Sequence, residues 1–199
     1  MRSIALFCED SFHEKFVGAL LARFQREYGV AIDAKFYSAR GGLPKMHWEF
    51  KEFLKDLGRD IGPLPDCVIV VADANCLGFK DRKEQMERQL DFFPQFQQLV
   101  SYAIPDPHIE RWMLVDPDAF KKVFTRGCTL PTIKCEKDEY KKRLRKEIRD
   151  SGIDPPLGGE EYAEDIVNEM DLTKAEIQEA SLGLFIQALK QRFNSWKAA

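Results

Sequence analysis

The chain has 199 residues, a length that fits one domain of ordinary size. Hydrophobic residues make up 44% and charged residues 32%, so the composition supports a buried core and excludes a disordered chain. Thirty basic and 33 acidic residues give a net charge of -3, which excludes a uniformly basic nucleic-acid coat but leaves a local basic face open. No apolar run approaches the roughly 20 residues of a membrane-spanning helix, so we expect no membrane association.

The cysteines indicate neither a disulfide framework nor a zinc site. There are five of them, an odd number, at positions 8, 67, 76, 128 and 135. The pair at 128 and 135 is accompanied by no second CxxC or HxxxH motif of the kind that zinc sites use. We therefore expect reduced thiols in a cytoplasmic protein.

The first hundred residues alternate between short apolar runs and amphipathic stretches. The apolar or alternating runs predict strands at 4–8, 30–37, 67–71 and 99–104. Between them, apolar spacings of three and four residues and one charged stretch predict helices at 12–24, 46–57 and 81–92. Strands that alternate with helix-length connections are typical of a mainly parallel sheet covered by helices. The sequence therefore predicts an α/β fold with a mainly parallel four-stranded sheet flanked by helices.

The second half of the chain, from about residue 107 onward, is predicted to be helical. We expect an α/β domain over 1–125 and a helical C-terminal extension over 126–199 that packs on the same core. A last amphipathic helix over 182–193 suits this core, and its apolar face also suits a homo-oligomer or partner interface. A basic run at 141–146 is either a solvated helix face or a contact to a phosphate backbone.

Carboxylates follow three of the four predicted strands. Glu9 comes after the first strand, Asp73 and Asn75 after the third, and Glu110 shortly after the fourth. The carboxyl ends of parallel strands meet at one edge of the sheet, where ligands bind. Crowded carboxylates repel one another unless a divalent cation neutralises them, and oxygen ligands suit Mg²⁺ or Mn²⁺. Alone, each acid also fits a helix start, a helix cap or a solvated surface; together they favour a shared metal site.

Three further residues near this edge are weaker candidates. His13 and His108 suit either proton transfer or a capping role. Glu14 lies five residues after Glu9 and is a second-tier carboxylate. The chain has no GxxxxGK[ST], GxGxxG or GxSxG motif, which argues against a P-loop ATPase, a dinucleotide site and a serine-hydrolase elbow.

Three segments together resemble the motifs of Toprim domains, which occur in topoisomerases, primases and nucleases. Leu6-Phe7-Cys8-Glu9-Asp10 resembles the motif after the first strand, and Val71-Ala72-Asp73-Ala74-Asn75 resembles the D-x-D turn after the third. Residues 107–116 look like the I-E-x-W-L-L-x-D helix of a Toprim-like family often associated with ATPases in bacterial defence. The resemblance covers about residues 1–120.

The resemblance implies a nuclease subunit that uses Mg²⁺ or Mn²⁺ to cut phosphodiester bonds of DNA or RNA, with an ATPase partner in antiviral defence. By position, Glu9 would be a metal ligand or general acid/base and Asp73 the principal metal ligand. Asn75 would be a weakened second ligand, and Glu110 an additional catalytic carboxylate. Residues that would neutralise or hold neighbouring phosphates are Arg40, Gly41, Gly42, Lys45 and Lys80.

Two other functions stay open. Toprim domains commonly have glycine where this chain has Asp10, and an acid where it has Asn75, so the domain would instead be a catalytically degenerate interaction or regulatory subunit. Alternatively, the Gly41-Gly42 loop would hold the phosphate of a small molecule in a phosphotransferase or nucleotide-binding protein.

Overall fold

The computed structural model describes residues 1–40, 43–59, 62–130, 132, 136 and 138–198, and all of their side chains except those of residues 43 and 44. Its centre is a four-stranded sheet in the order β2-β1-β3-β4, with every neighbouring pair parallel. The strands are β1 (Arg2–Cys8), β2 (Ile32–Ser38), β3 (Cys67–Val71) and β4 (Val100–Ala103). In register, Ile4 of β1 lies between Ala34 of β2 and Cys67 of β3.

Helices connect and cover the strands. In the described part of the chain they are α1 (Ser11–Tyr28), α2 (Leu43–Arg59), α3 (Phe79–Leu90), α4 (Ile109–Met113), α5 (Pro117–Phe124), α6 (Glu139–Arg149), α7 (Ala163–Glu169), α8 (Leu172–Gln178) and α9 (Ala180–Ala198). Short 3-10 turns lie at Asn75–Leu77, Pro94–Phe96 and Glu160–Tyr162. The predicted fold class is therefore confirmed: an α/β protein with a parallel four-stranded sheet, flanking helices and a helical C-terminal region.

Local sequence explains where β1 ends and α1 begins. The side chain of Asp10 accepts hydrogen bonds from the backbone N–H groups of Phe12 and His13, which caps the first turn of α1. Gly29 ends the helix in a left-handed conformation, with φ of 67°. Because the cap is Asp10, Glu9 is the one residue between the strand and the helix cap, and it lies at the carboxyl edge of the sheet.

The sheet separates two apolar cores. On one face, Ala5, Phe7, Val68 and Val70 pack under α2 and α3. On the other face, the alternate residues of the same strands pack with α1 and most of the later helices. Phe185, Ile186, Leu189 and Phe193 of α9 belong to this second core, so the helices after residue 126 share a core with the sheet. The boundary proposed at residue 125 stays a prediction.

The cysteines differ in part from expectation. Cys8, Cys67 and Cys128 are free and buried. Cys76 is disulfide-bonded, so the prediction that all the thiols are reduced is wrong for this residue. Cysteine spacing along the chain does not show which side chains the fold brings within bonding distance. Cys135 lies outside the described residues.

Among the helices in the ranges given above, none is both long enough and apolar enough to cross a membrane.

Candidate functional site

The carboxyl ends of β1, β3 and β4 meet at one edge of the sheet, as the sequence predicts. The side chains that follow these strands surround a cavity of about 340 Å³, hereafter the carboxylate cavity. Its lining includes all of the residues predicted as metal ligands, together with one of the two histidines: Glu9, Asp73, Asn75, Glu110 and His108. The structure thus brings together residues that are up to 101 positions apart in the chain.

Asp73 is the most heavily bonded of the carboxylates. Its Oδ1 accepts hydrogen bonds from Nε2 of His13 at 3.0 Å and from the backbone N–H of Ile109 at 2.9 Å. Its Oδ2 accepts one from Nδ1 of His108 at 2.9 Å. Burial would raise the pKa of Asp73, but the charge of His13 and the hydrogen bonds from His108 and His13 hold the pKa below its ordinary value. Asp73 is therefore an ionised side chain fixed from both α1 and α4.

His13 bridges two carboxylates. Its Nδ1 lies 2.7 Å from Oδ1 of Asp10, and its Nε2 contacts Asp73. The ring is 1% exposed. Burial opposes protonation, but the charge of Asp73 and the hydrogen bonds to Asp10 and Asp73 raise the pKa of His13 well above its usual value. Because both ring nitrogens are already bonded, His13 orients Asp73 and is not itself a metal ligand in this arrangement.

Glu9 lies beside Asp73 and is held by the main chain. Its Oε2 accepts a hydrogen bond from the backbone N–H of Asp73 at 3.0 Å. Burial, followed by the negative charge of Asp73, raises the pKa of Glu9. A carboxylate at this position suits either metal binding or proton transfer.

Glu110 differs from the other two acids because one of its oxygens has no partner. The residue is 2% exposed, and within the described residues its Oε2 accepts no hydrogen bond. Burial first, and the charge of Asp73 second, raise the pKa of Glu110 to about 7. A buried oxygen left unpaired costs free energy, and such exceptions need a physical reason.

The oxygens of these acids fit a hard divalent cation. Ligand atoms from Asp73, His108 and Glu110 all lie within 4.8 Å of one another, and so do atoms from Glu9, His13 and Asp73. Asp73 Oδ2 accepts a single hydrogen bond and keeps a second lone pair, whereas Oδ1 already accepts two. Together with the unpartnered Glu110 Oε2, this gives a set of oxygen donors typical of Mg²⁺ and Mn²⁺ sites.

Asn75, predicted as a weakened ligand, has a backbone role as well. It lies in the left-handed region with φ of 53°, where asparagine is tolerated better than most residues. Its backbone N–H donates to the carbonyl of Pro107, and its Nδ2 donates to the carbonyl of Asp73. The turn therefore explains an asparagine at this position without any metal.

Those of the predicted phosphate-binding residues that the structure describes do not gather at the carboxylate cavity. Arg40 lines a different cleft, between β2 and α2, and its backbone N–H donates to Glu49. Lys45 and Lys80 are exposed on α2 and α3 and are not part of the cavity lining. Gly41 and Gly42 lie outside the described residues. Sequence spacing alone did not show that the β2–α2 connection starts from an edge strand, away from the three acids.

Glu14 also lies outside the lining of the carboxylate cavity. Its Oε2 accepts a hydrogen bond from the hydroxyl of Ser38, and the residue lines a separate cleft beside Lys15 and Glu160. The second-tier carboxylate therefore does not join the site: Glu9 lies before the helix cap at the edge of the sheet, whereas Glu14 lies within α1.

Two residues at the site were not among the candidates named from the sequence, although one of them belongs to the basic run at 141–146. Arg82 of α3 is 4% exposed, and its Nε donates to the carbonyl of Asp73, which supports the turn from behind. Lys141 of α6 is the one lysine or arginine among the described residues that line the carboxylate cavity. The basic run at 141–146 was the available signal for Lys141, whereas no motif marks Arg82.

The chain matches no protein-family model, no curated protein and no solved structure. The relationship to Toprim domains therefore stays a prediction that rests on three short sequence motifs. The structure adds the arrangement of Glu9, Asp73 and Glu110 around one cavity at the carboxyl edge of the sheet.

Proposed function

We propose that the protein is a cytoplasmic, Toprim-like phosphodiester hydrolase that uses Mg²⁺ or Mn²⁺ to cut DNA or RNA. The observation that carries this proposal is the buried Oε2 of Glu110, which has no hydrogen-bond partner in the described part of the chain and lies in a cavity shared with Asp73 and Glu9. A bound cation would supply the missing partner of that oxygen and would neutralise three neighbouring carboxylates.

The residues that would hold the ion are Glu110, Asp73 through Oδ2, and Glu9. When bound there, a divalent ion supplies positive charge to a phosphate oxygen and lowers the pKa of a bound water. The protein's own contribution is positioning: His13 and the Ile109 N–H fix Asp73, and the Asp73 N–H fixes Glu9. The raised pKa of Glu9 suits it to accept or return a proton.

A specific observation favours a second candidate, a catalytically degenerate interaction subunit. Asp73 is already paired with His13 and His108, so part of the negative charge is neutralised by the protein itself. Asn75 adds no charge where Toprim domains carry an acid. In this case the cavity is stable without metal. An ATPase partner and a homo-oligomer stay predictions under either function.

A cleavage assay separates the two candidates. Labelled DNA and RNA oligonucleotides are incubated with Mg²⁺ or Mn²⁺ and with the wild type, Glu110→Gln or Glu14→Gln. Glu14→Gln is the matched control, because it makes the same chemical change on a carboxylate that lies outside the cavity. We expect EDTA to abolish cleavage and Glu110→Gln to slow it by about a hundredfold, as for loss of a group that stabilises transition-state charge. No metal-dependent cleavage by the wild type would contradict the hydrolase and favour the degenerate subunit.

A further inference from the structure

The cations of α6 fall into two groups. Three of them form ion pairs with acids near the C-terminal end of the helix: Arg143 with Glu147, Lys146 with Asp150, and Arg149 with Asp154. The other three, Lys141, Lys142 and Arg145, form no ion pair or side-chain hydrogen bond within the described residues. Of these, Lys141 and Arg145 are about one helical turn apart on the same face, about 6 Å along the axis.

This face of α6 borders the carboxylate cavity. Lys141 lines that cavity and also a second one of about 320 Å³, and the two cavities share Asp10, Glu110 and Lys141. Arg145 lines the second cavity, and its Nε lies 3.7 Å from the point where a Cβ would stand on Gly158. The second cavity, hereafter the α6 cavity, is thus a continuation of the carboxylate cavity with two cations on its wall.

Among the described residues, two of the three acids that line the α6 cavity are paired with other cations. Glu160 is paired with the ammonium group of Lys15 and accepts from the hydroxyl of Ser11. Asp10 is paired with His13 and caps α1. The third acid, Glu110, also lines the carboxylate cavity and is a proposed ligand of the divalent ion. Lys141 and Arg145 therefore remain available to the negative charge of a ligand, immediately beside the proposed cleavage site.

We propose that Lys141 and Arg145 bind a phosphate group of a polynucleotide strand next to the phosphate that is cleaved. The inference rests on the proposed function, because it takes the carboxylate cavity as the place of cleavage. It deepens that function by naming the substrate: a strand with at least two consecutive phosphates, instead of an isolated phosphodiester. Lysine and arginine contacts of this kind position a backbone without reading its sequence.

The test compares two double variants of α6 that remove the same charge. Lys141→Ala/Arg145→Ala removes the cations of the α6 cavity, and Lys142→Ala/Lys146→Ala removes two exposed cations that do not line it. Binding of fluorescein-labelled oligodeoxythymidylate and oligouridylate is measured by anisotropy, with Ca²⁺ in place of Mg²⁺, over a range of salt. We expect the first variant to bind at least tenfold more weakly. The slope of log affinity against log salt should become shallower by about 0.7, because each single-strand phosphate that the protein neutralises adds about 0.7 to that slope.

Hydrolysis assays distinguish failure of this inference from failure of the proposed function. We expect Lys141→Ala/Arg145→Ala to lose at least tenfold more kcat/KM on the oligonucleotides than on bis(p-nitrophenyl) phosphate, which has no neighbouring phosphate. If the wild type hydrolyses neither substrate, the proposed function fails, and the binding assay still decides the inference. Absence of oligonucleotide binding by the wild type, or an equal loss in both double variants, would overturn the inference. Binding of only the deoxythymidylate or only the uridylate also supports it.

Discussion

At Glu110 the protein buries a carboxyl group beside another carboxylate. The side chain lies on α4, a helix of five residues whose members are all buried. Removal from water and the neighbouring Asp73 both disfavour the ionised form, which is why the pKa of Glu110 rises to about 7. Keeping this carboxyl group at the site therefore lowers the free energy of unfolding at neutral pH.

This cost predicts how stability depends on pH. The pKa of Glu110 is about 7 in the folded state against 4.5 for the ordinary carboxyl, so the folded protein binds this proton more tightly than the unfolded chain. The stability that this proton contributes to the folded state is fully present below about pH 4 and is lost as pH rises through about 7. Without metal, we expect Glu110→Gln to be more stable than the wild type by about 3 kcal/mol at pH 8, and by about 0 at pH 4.

Urea unfolding in EDTA at a series of pH values measures this difference. Glu14→Gln is again the control and should show no comparable trend, because Glu14 lies outside the cavity. A Glu110→Gln difference that stays constant between pH 4 and pH 8 would contradict the raised pKa.

His13, which bridges Asp10 and Asp73, should contribute to the stability of the fold. His13→Ala leaves buried Asp73 without one of its two histidine partners, and breaking a buried pair on one side costs about 3 to 5 kcal/mol. When Asp73→Ala is combined with it, the loss should be smaller than the sum of the single losses by about 2 kcal/mol. Urea unfolding of the two single variants and the double variant at pH 7 measures this coupling. Additive losses would show that the two side chains do not stabilise each other.

Among the helices, the short α4 depends on contacts made by its neighbours. Arg111 forms a buried ion pair with Glu179, and the indole N–H of Trp112 donates to the hydroxyl of Ser181 at 2.9 Å. Both partners lie at the junction of α8 and α9. A five-residue helix has little stability of its own, so this junction holds Glu110 at the carboxylate cavity.

The junction itself depends on Gly183. A Cβ at this position would stand 2.5 Å from the carbonyl oxygen of Glu176, which belongs to α8 and is backbone. We expect Gly183→Ala to destabilise the fold by about 1 to 3 kcal/mol, because the two helices would have to move apart. Gly62→Ala is the control: nothing lies within 4 Å of its Cβ position, and a change within about 0.5 kcal/mol is expected. Equal effects of the two substitutions in thermal unfolding would contradict the close contact.

For the molecule as a whole, the elements with local signals were predictable from sequence. The five apolar residues of β3 form a strand with the predicted bounds, Cys67–Val71, and all five are buried. The spacing of apolar residues between 12 and 24 predicted α1, since a helix that covers a sheet must keep one apolar face. The predicted strand at 99–104 is one residue too long at each end, because Leu99 and Ile104 continue the apolar run although the strand is Val100–Ala103.

The partners of the acids were not predictable in the same way. His13 and His108 both contact Asp73, but they lie 60 and 35 positions away along the chain. The shared direction of parallel strands indicated which acids meet at one edge, yet it gave no side-chain direction, so Glu14 was retained and Arg82 was missed. The orientation of α6 toward the cavity depends on packing across the second core, which the basic run at 141–146 does not encode.

Calorimetric titration of Mn²⁺ into the purified protein tests whether the carboxyl edge of the sheet holds a divalent cation. The wild type, Glu9→Gln, Glu110→Gln and the control Glu14→Gln would be titrated at pH 7.5, where the carboxyl of Glu110 is mostly ionised. We expect the wild type and Glu14→Gln to bind Mn²⁺, and Glu9→Gln and Glu110→Gln to bind it at least tenfold more weakly. No binding by the wild type, or equal affinity in all four proteins, would contradict a metal site at the carboxyl edge of the sheet.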